Sequence, residues 1–229
     1  TAAALAAMGR ADSITIDPHK LGYTPYACGA VLTRDAETYA VSGFDAPYLD
    51  RPELGDGKWS STLEGSRSAA GAAATWLTGR TLGFDPEGLG AVLAETVRVR
   101  RAFEAAVGEA APQARFLEPA DSNIACFSIA AEGEPLSVAN RRTEALFDAI
   151  HRSPGFSVSK TTLKATSAAA IARHAARWGG EADAVGLVLI RCVFMNPYWA
   201  APDLRAALFS EFAELVNAHV GASATEAAA

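Results

Sequence analysis

The residue best placed to do chemistry is Lys20. It closes Asp17-Pro18-His19-Lys20 at the end of the apolar run Ser13-Ile14-Thr15-Ile16 and precedes Leu21-Gly22-Tyr23-Thr24-Pro25-Tyr26. A lysine amine attacks an aldehyde only after its ammonium loses a proton. A strand end beside a histidine, with turn residues behind it, is a place where an aldehyde cofactor can be held as a Schiff base. A bare His-Lys pair is more often a solvated loop, so the surrounding residues must decide. Tyr26 follows Lys20 by six positions. Gly22 and Pro25 supply a turn that returns its phenol to the lysine's neighbourhood, as an acid or as a packed ring.

Two other segments carry chemistry. In Thr62-Leu63-Glu64-Gly65-Ser66-Arg67-Ser68, Gly65 and Ser66 at a helix start present backbone N–H groups and a hydroxyl, which suits an anion. Serines in that position also simply cap helices. In Ile190-Arg191-Cys192-Val193-Phe194-Met195-Asn196-Pro197-Tyr198, an arginine sits inside an otherwise apolar strand. A buried guanidinium needs a carboxylate, a phosphate or several carbonyls, and either a structural ion pair or a ligand meets that need.

These three segments together resemble the group II pyridoxal-phosphate-dependent amino-acid decarboxylases, most closely the bacterial tyrosine decarboxylases. Those carry Asp-Pro-His-Lys before Gly-Tyr-x-Pro-Tyr, Leu-Glu-Gly-Ser before a small-residue helix, and Arg before Met-Thr-Pro-Tyr. The resemblance runs in order from residue 10 to about residue 200. It implies a fold-type-I α/β architecture with pyridoxal 5'-phosphate on Lys20, and decarboxylation of an L-amino acid, aromatic and tyrosine-like, through a quinonoid. It further implies His19, Gly65 and Ser66 at the cofactor phosphate, with Ser66 reaching a neighbouring subunit's cofactor. Tyr26 becomes the acid that protonates Cα, and Arg191 the group for the substrate carboxylate. Val193 and Asn196 depart from the serine and threonine of the tyrosine-decarboxylase pattern, which leaves the substrate side chain open.

The 229 residues, 50 % hydrophobic, can bury the core of one large domain or somewhat more. A net charge of -6, with basic residues scattered along the chain, argues against nucleic acid or an anionic membrane as partner. No apolar run reaches the roughly 18 residues of a membrane span, and Thr1 to Ala7 lacks a basic leader, which makes the cytoplasm the expected location. Cys28, Cys126 and Cys192 lie in apolar stretches without paired spacing, so buried thiols are expected and not disulfides or metal ligands.

The elements that must position these residues follow from periodicity and punctuation. Thr1–Met8 reads as the end of a helix, Ser13–Ile16 as a strand, and Ala27–Leu32 as a strand buried on both faces. Gly43–Trp59 reads as a functional or interface loop. Ser66–Leu82 reads as a helix whose stretch Ala69 to Ala74 lets another backbone approach closely, ended by Gly83. A long helix then carries Leu89, Val92, Leu93, Phe103 and Val107 on one face, with Arg100 extending its head to water.

Beyond it come a strand at Asn123–Ala130, a helix from Ser137, a loop-like stretch at Gly155–Arg173, a strand at Val185–Met195 and a helix from Pro202 to about His219. The domains expected are therefore 1–88, the C-terminal part of the cofactor-binding large domain; 89–220, a linking helix and small domain; and a frayed tail, 221–229. Only nineteen residues precede Lys20. The resemblance places a pyridine-nitrogen aspartate and a ring-stacking residue further upstream, so a complementary N-terminal chain or segment, and a dimer with shared sites, are expected partners. A decarboxylative oxidase, a lyase or transaldolase, or a non-catalytic partner subunit would carry the same motifs.

Overall fold

A computed structural model of the chain describes residues 2–35, 37, 38 and 67–226, with the side chains of its last helix as far as 220. It divides into two compact units, Thr1–Ala91 and Val92–Ala229.

In the first unit, helix α1 (Ala2–Ala7) and a 3-10 turn (Met8–Arg10) lead into strand β1 (Ser13–Ile16). β1 pairs antiparallel with β2 (Ala30–Thr33), Ser13 opposite Thr33 and Ile16 opposite Ala30. β2 begins later than Ala27, because Ala27–Gly29 belong to the return from the lysine turn. Its expected burial on both faces is not found: Val31 and Leu32 are 55 % and 51 % exposed. A two-stranded ribbon has no inner strands, so apolar side chains alone do not make a buried strand of it.

Helix α2 (Ala70–Leu82) answers the expectation of a close backbone approach, and the approaching backbone is the chain's own. A Cβ on Gly71 would stand 2.8 Å from the Ala27 carbonyl oxygen and 3.1 Å from Cys28 Sγ. The Cys28 thiol donates to the Gly71 carbonyl at 3.2 Å and lies 3.1 Å from the Thr75 hydroxyl. The small residue therefore seats the segment that follows the lysine turn. The helix stops at Gly83, whose φ of 79° lies in the region that favours glycine.

Helix α3 (Leu89–Ala110) runs into the second unit, where a four-stranded antiparallel sheet has the order β3-β4-β6-β5. Its strands are β3 (Ala114–Phe116), β4 (Ile124–Ile129), β5 (Ser159–Leu163) and β6 (Leu187–Val193). Side chains alternate across a strand, so β6 serves two cores. Ile190, Cys192 and Phe194 join Val99, Phe103, Phe127, Phe209, Phe212 and Val216 in one, while Leu187 and Leu189 join Leu136, Ile171 and Trp178 in the other. Helices α4 (Leu136–Arg152), α5 (Ala168–Ala175) and α6 (Pro202–Glu226) complete the unit.

Three expectations are corrected here. The stretch 155–173 is not loop-like, since it contains β5 and most of α5. β5 is an edge strand of alternating exposure, Ser-Lys-Thr-Thr-Leu, and its polar outer face hid it from an apolar-pattern reading. Arg100 does not extend to water: it is 4 % exposed, donates to the carbonyls of Ser122 (3.1 Å) and Ala120 (2.9 Å), and pairs with Glu104. The loop carbonyls of 120–122 satisfy it inside. The final helix does not end near His219 but continues to Glu226.

Burial pushes the Cys192 thiol up to about 12 and raises that of Cys126, consistent with structural cysteines. Among the described residues no group of His, Cys, Asp or Glu could hold a metal, and no helix is long and apolar enough to cross a membrane.

Candidate active site

The lysine turn is built by short-range hydrogen bonds after the β1 strand ends. Lys20 N–H donates to the Asp17 carbonyl (3.0 Å), Tyr23 N–H to the Lys20 carbonyl (3.0 Å), and Thr24 N–H back to the Pro18 carbonyl (3.2 Å). Gly22 permits this tightness, because a Cβ there would lie 2.6 Å from the Pro18 carbonyl oxygen. Tyr23 takes a φ of 53°, and burial raises its phenol above the ordinary tyrosine range. Thr24 is 6 % exposed and its hydroxyl has no hydrogen-bond partner among the described residues.

On this turn three of the expected groups come together. Lys20 Nζ lies 2.6 Å from Asp17 Oδ2, with the lysine side chain 56 % exposed. That hydrogen bond, more than any other influence, holds the Asp17 carboxyl below its ordinary value. The His19 ring sits with Nδ1 against the Cys28 carbonyl, which also accepts the His19 backbone N–H at 3.3 Å. Tyr26 lies beside that ring, the centroids 4.3 Å apart and the planes tilted by 37°. Tyr26 is 79 % exposed, so its phenol is open to a ligand.

The return of Tyr26 to the lysine turn was readable from Gly22 and Pro25. The anchoring of His19 was not, since its partner is a backbone carbonyl and leaves no mark in residue types. Asp17, which opens the turn, is also the ion-pair partner of Lys20.

Gly65 and Ser66 lie outside the described residues, as does the loop Gly43–Trp59. Arg191 belongs to the second unit, on β6 opposite Cys126 of β4 and Ser159 of β5. Its Nη1 donates to the Ser159 hydroxyl at 3.3 Å, and among the described residues no carboxylate pairs with it. The structural ion pair that would explain a half-buried arginine is therefore not found there.

The donor set on the turn fits an aldehyde cofactor with an anionic tail: a primary amine for the aldehyde carbon, an imidazole for the anion, and an exposed phenol beside them. The Asp17 carboxylate lies against the amine and must be displaced before a ligand can take its place.

The family described as the pyridoxal-dependent decarboxylase conserved domain matches residues 2–130. An L-tyrosine decarboxylase of Enterococcus faecium is 34 % identical over 99 residues, 42 % of this chain and 16 % of the relative. An L-aspartate decarboxylase of Thermococcus kodakarensis is 37 % identical over 91 residues, 40 % of this chain and 22 % of that protein. A probable L-tyrosine/L-aspartate decarboxylase of Methanococcus maripaludis is 42 % identical over 73 residues, 32 % of this chain and 17 % of the relative.

Among solved structures, mouse CSAD gives a TM-score of 0.62 at 16 % identity, over 92 % of this chain and 40 % of that one. Oryza sativa TDC with PLP and tryptamine gives 0.59 at 18 %, over 90 % and 40 %. The fold is that of fold-type-I pyridoxal-phosphate decarboxylases, of which this chain spans less than half.

Proposed function

The chain belongs to the pyridoxal-dependent decarboxylase family, and on that premise we propose that it provides the lysine-bearing part of an enzyme that decarboxylates an L-amino acid to the amine. The observation that carries the reading is the turn itself, which puts Lys20, His19 and Tyr26 together in the spacing of the family motif.

When bound, pyridoxal phosphate supplies an electron sink for the pair left on Cα after carbon dioxide departs. Lys20 would hold it covalently at the aldehyde carbon, after leaving Asp17 and losing its proton. The His19 ring, held with Nδ1 against the Cys28 backbone, would offer its Nε2–H to the phosphate. Gly65 and Ser66 would add donors at a cofactor phosphate, Ser66 at that of the neighbouring subunit. Tyr26 would carry the proton that Cα needs, its ring steadied by His19. Arg191, whose one side-chain partner among the described residues is the Ser159 hydroxyl, would take the substrate carboxylate in a two-pronged hydrogen bond.

The remaining cradle, an acid at the pyridine nitrogen and a stacking ring, would come from a complementary chain or segment. Its cytoplasmic dimer would contribute Ser66 across the subunit interface. An aromatic, tyrosine-like substrate is the first choice, and the relatives named for aspartate favour a second, an acidic one.

Borohydride reduction of the cofactor-loaded enzyme, followed by peptide mapping, tests the reading. The pyridoxyl group is expected on Lys20. Finding it instead on Lys160, which pairs with Glu144, or on Lys164 would overturn the assignment. Product analysis with tyrosine and aspartate as competing substrates then separates the two side-chain readings.

A further inference from the structure

The second unit holds a charged cavity that the decarboxylase reading does not use. Open on one side and about 370 Å³ in volume, it is lined by Glu104, Arg115, Phe116, Glu118 and Arg177 together with small residues of α3. That volume lies within the range of about 300–1,000 Å³ typical of small-ligand sites.

Its charges are not matched evenly. Glu104 is committed to the buried Arg100, whose side chain is 5 % exposed and whose other donors go to loop carbonyls. The two remaining cations are held in place by backbone. Arg115 Nε donates to the Ala130 carbonyl at 3.1 Å, and Arg177 Nη1 to the Phe116 carbonyl at 2.6 Å. Their second contacts are to mostly solvated carboxylates: Arg115 Nη2 to Glu132, 78 % exposed, and Arg177 Nη2 to Glu118, 65 % exposed. Such pairs contribute little and are readily exchanged for a better acceptor. The positive field of the two guanidiniums also reaches the core, where Arg177 and Arg115 add to burial in depressing the His174 imidazole.

The geometry points to an oxyanion site at the β3 edge, in which Arg177 and Arg115 take a small carboxylate or phosphate ligand in place of Glu118 and Glu132. Two guanidiniums already oriented by carbonyls present forked donors with little further ordering, which is the arrangement that recognises such anions. The competing view is that both arginines only cap carbonyls at an exposed sheet edge. That role uses one nitrogen of each and leaves the others on loosely held glutamates.

Titration calorimetry on the full chain, at fixed ionic strength set with sodium chloride, decides between them. Citrate probes the carboxylate source and inorganic phosphate the phosphate source. The site is expected to bind one equivalent of at least one of these. Arg177→Gln and Arg115→Gln should each weaken binding by about tenfold or more, while Glu118→Gln, which removes only the exposed competitor, should tighten it by a few-fold. Glu118→Gln touches no backbone cap, so it remains decisive if an arginine variant folds poorly. No saturable binding of either anion, or binding indifferent to Glu118→Gln and Arg177→Gln, would leave the arginines as edge caps and overturn the site.

Discussion

Lys20 Nζ and Asp17 Oδ2 are 2.6 Å apart on one exposed turn, and the ion pair competes directly with the chemistry proposed for the lysine. The carboxylate is favoured in its charged form by that contact, so the pair is complete above the ordinary carboxylate range near pH 3.8 and is lost as the pH falls through the lowered value. At neutral pH Asp17 therefore occupies the lysine head group, and the contact must break before the amine can attack. Asp17→Asn is expected to speed covalent capture of pyridoxal phosphate by about two- to fivefold, an effect that shrinks with added salt. Rates of borohydride-trapped adduct formation at several ionic strengths check this. A slower, salt-independent capture would assign Asp17 to the turn alone.

Gly71 sets how the same turn is seated. A methyl group at this position would meet the Ala27 carbonyl at 2.8 Å, a backbone atom that cannot swing aside. Alanine normally improves a helix interior by about 1 kcal/mol over glycine, but overpacking costs about 1–3 kcal/mol. Gly71→Ala is therefore expected to lower the thermal midpoint despite its better helix propensity. Gly9→Ala, where a Cβ has nothing within 4 Å, serves as the control. Equal midpoints for the two variants would mean that α2 and the Ala27–Cys28 segment are not packed as described.

How much of this was legible in the residues depends on where each signal lies. The β1 strand, the α2 stop at Gly83 and the return of Tyr26 to the lysine turn follow from apolar runs and turn residues, which are local. The position of β5 does not, because Ser159–Leu163 becomes a strand by pairing with β6 and keeps a polar face to solvent. Arg100 misled for a related reason: besides its pairing with Glu104, its remaining donors go to two loop carbonyls about twenty residues away, and carbonyls have no residue type. The exposure of Val31 and Leu32 has the same origin, since apolar composition says that a strand wants covering and not what covers it.

His174 makes the second unit sensitive to mild acid. It is 2 % exposed, its Nε2 lies 3.0 Å from the Ser128 hydroxyl, and burial, with Arg177 and Arg115, lowers it from 6.5 to about 4. A histidine harder to protonate in the folded state gives its full stability above pH 6.5 and loses it as the pH falls toward 4, because the unfolded chain takes up the proton first. The gap between 6.5 and about 4, at about 1.36 kcal/mol per pH unit, amounts to about 3 kcal/mol. Urea unfolding at a series of pH values should show this loss in the wild type on top of the carboxylate background. It should be absent in His174→Gln. Parallel profiles for the two proteins would contradict the buried neutral imidazole.

Tyr26 offers the sharpest division between holding the cofactor and using it. Its phenol is exposed beside the His19 ring and takes no part in the turn's backbone hydrogen bonds, so Tyr26→Phe should leave the borohydride-trapped adduct on Lys20 at its normal level. If the phenol delivers the proton to Cα, amine formation should fall by about 10²–10⁴, the range for loss of a positioned acid. Carbon dioxide release should then run ahead of amine formation, and with oxygen present as the oxidant more of the product should leave as carbonyl compound. Single-turnover assays that follow carbon dioxide, amine and carbonyl together, with and without oxygen, separate these steps. Unchanged amine formation would reduce Tyr26 to a ring that steadies His19. An unmutated enzyme that already yields mainly the carbonyl product while consuming oxygen would keep decarboxylation as the first step and transfer the reading to an oxidative decarboxylase.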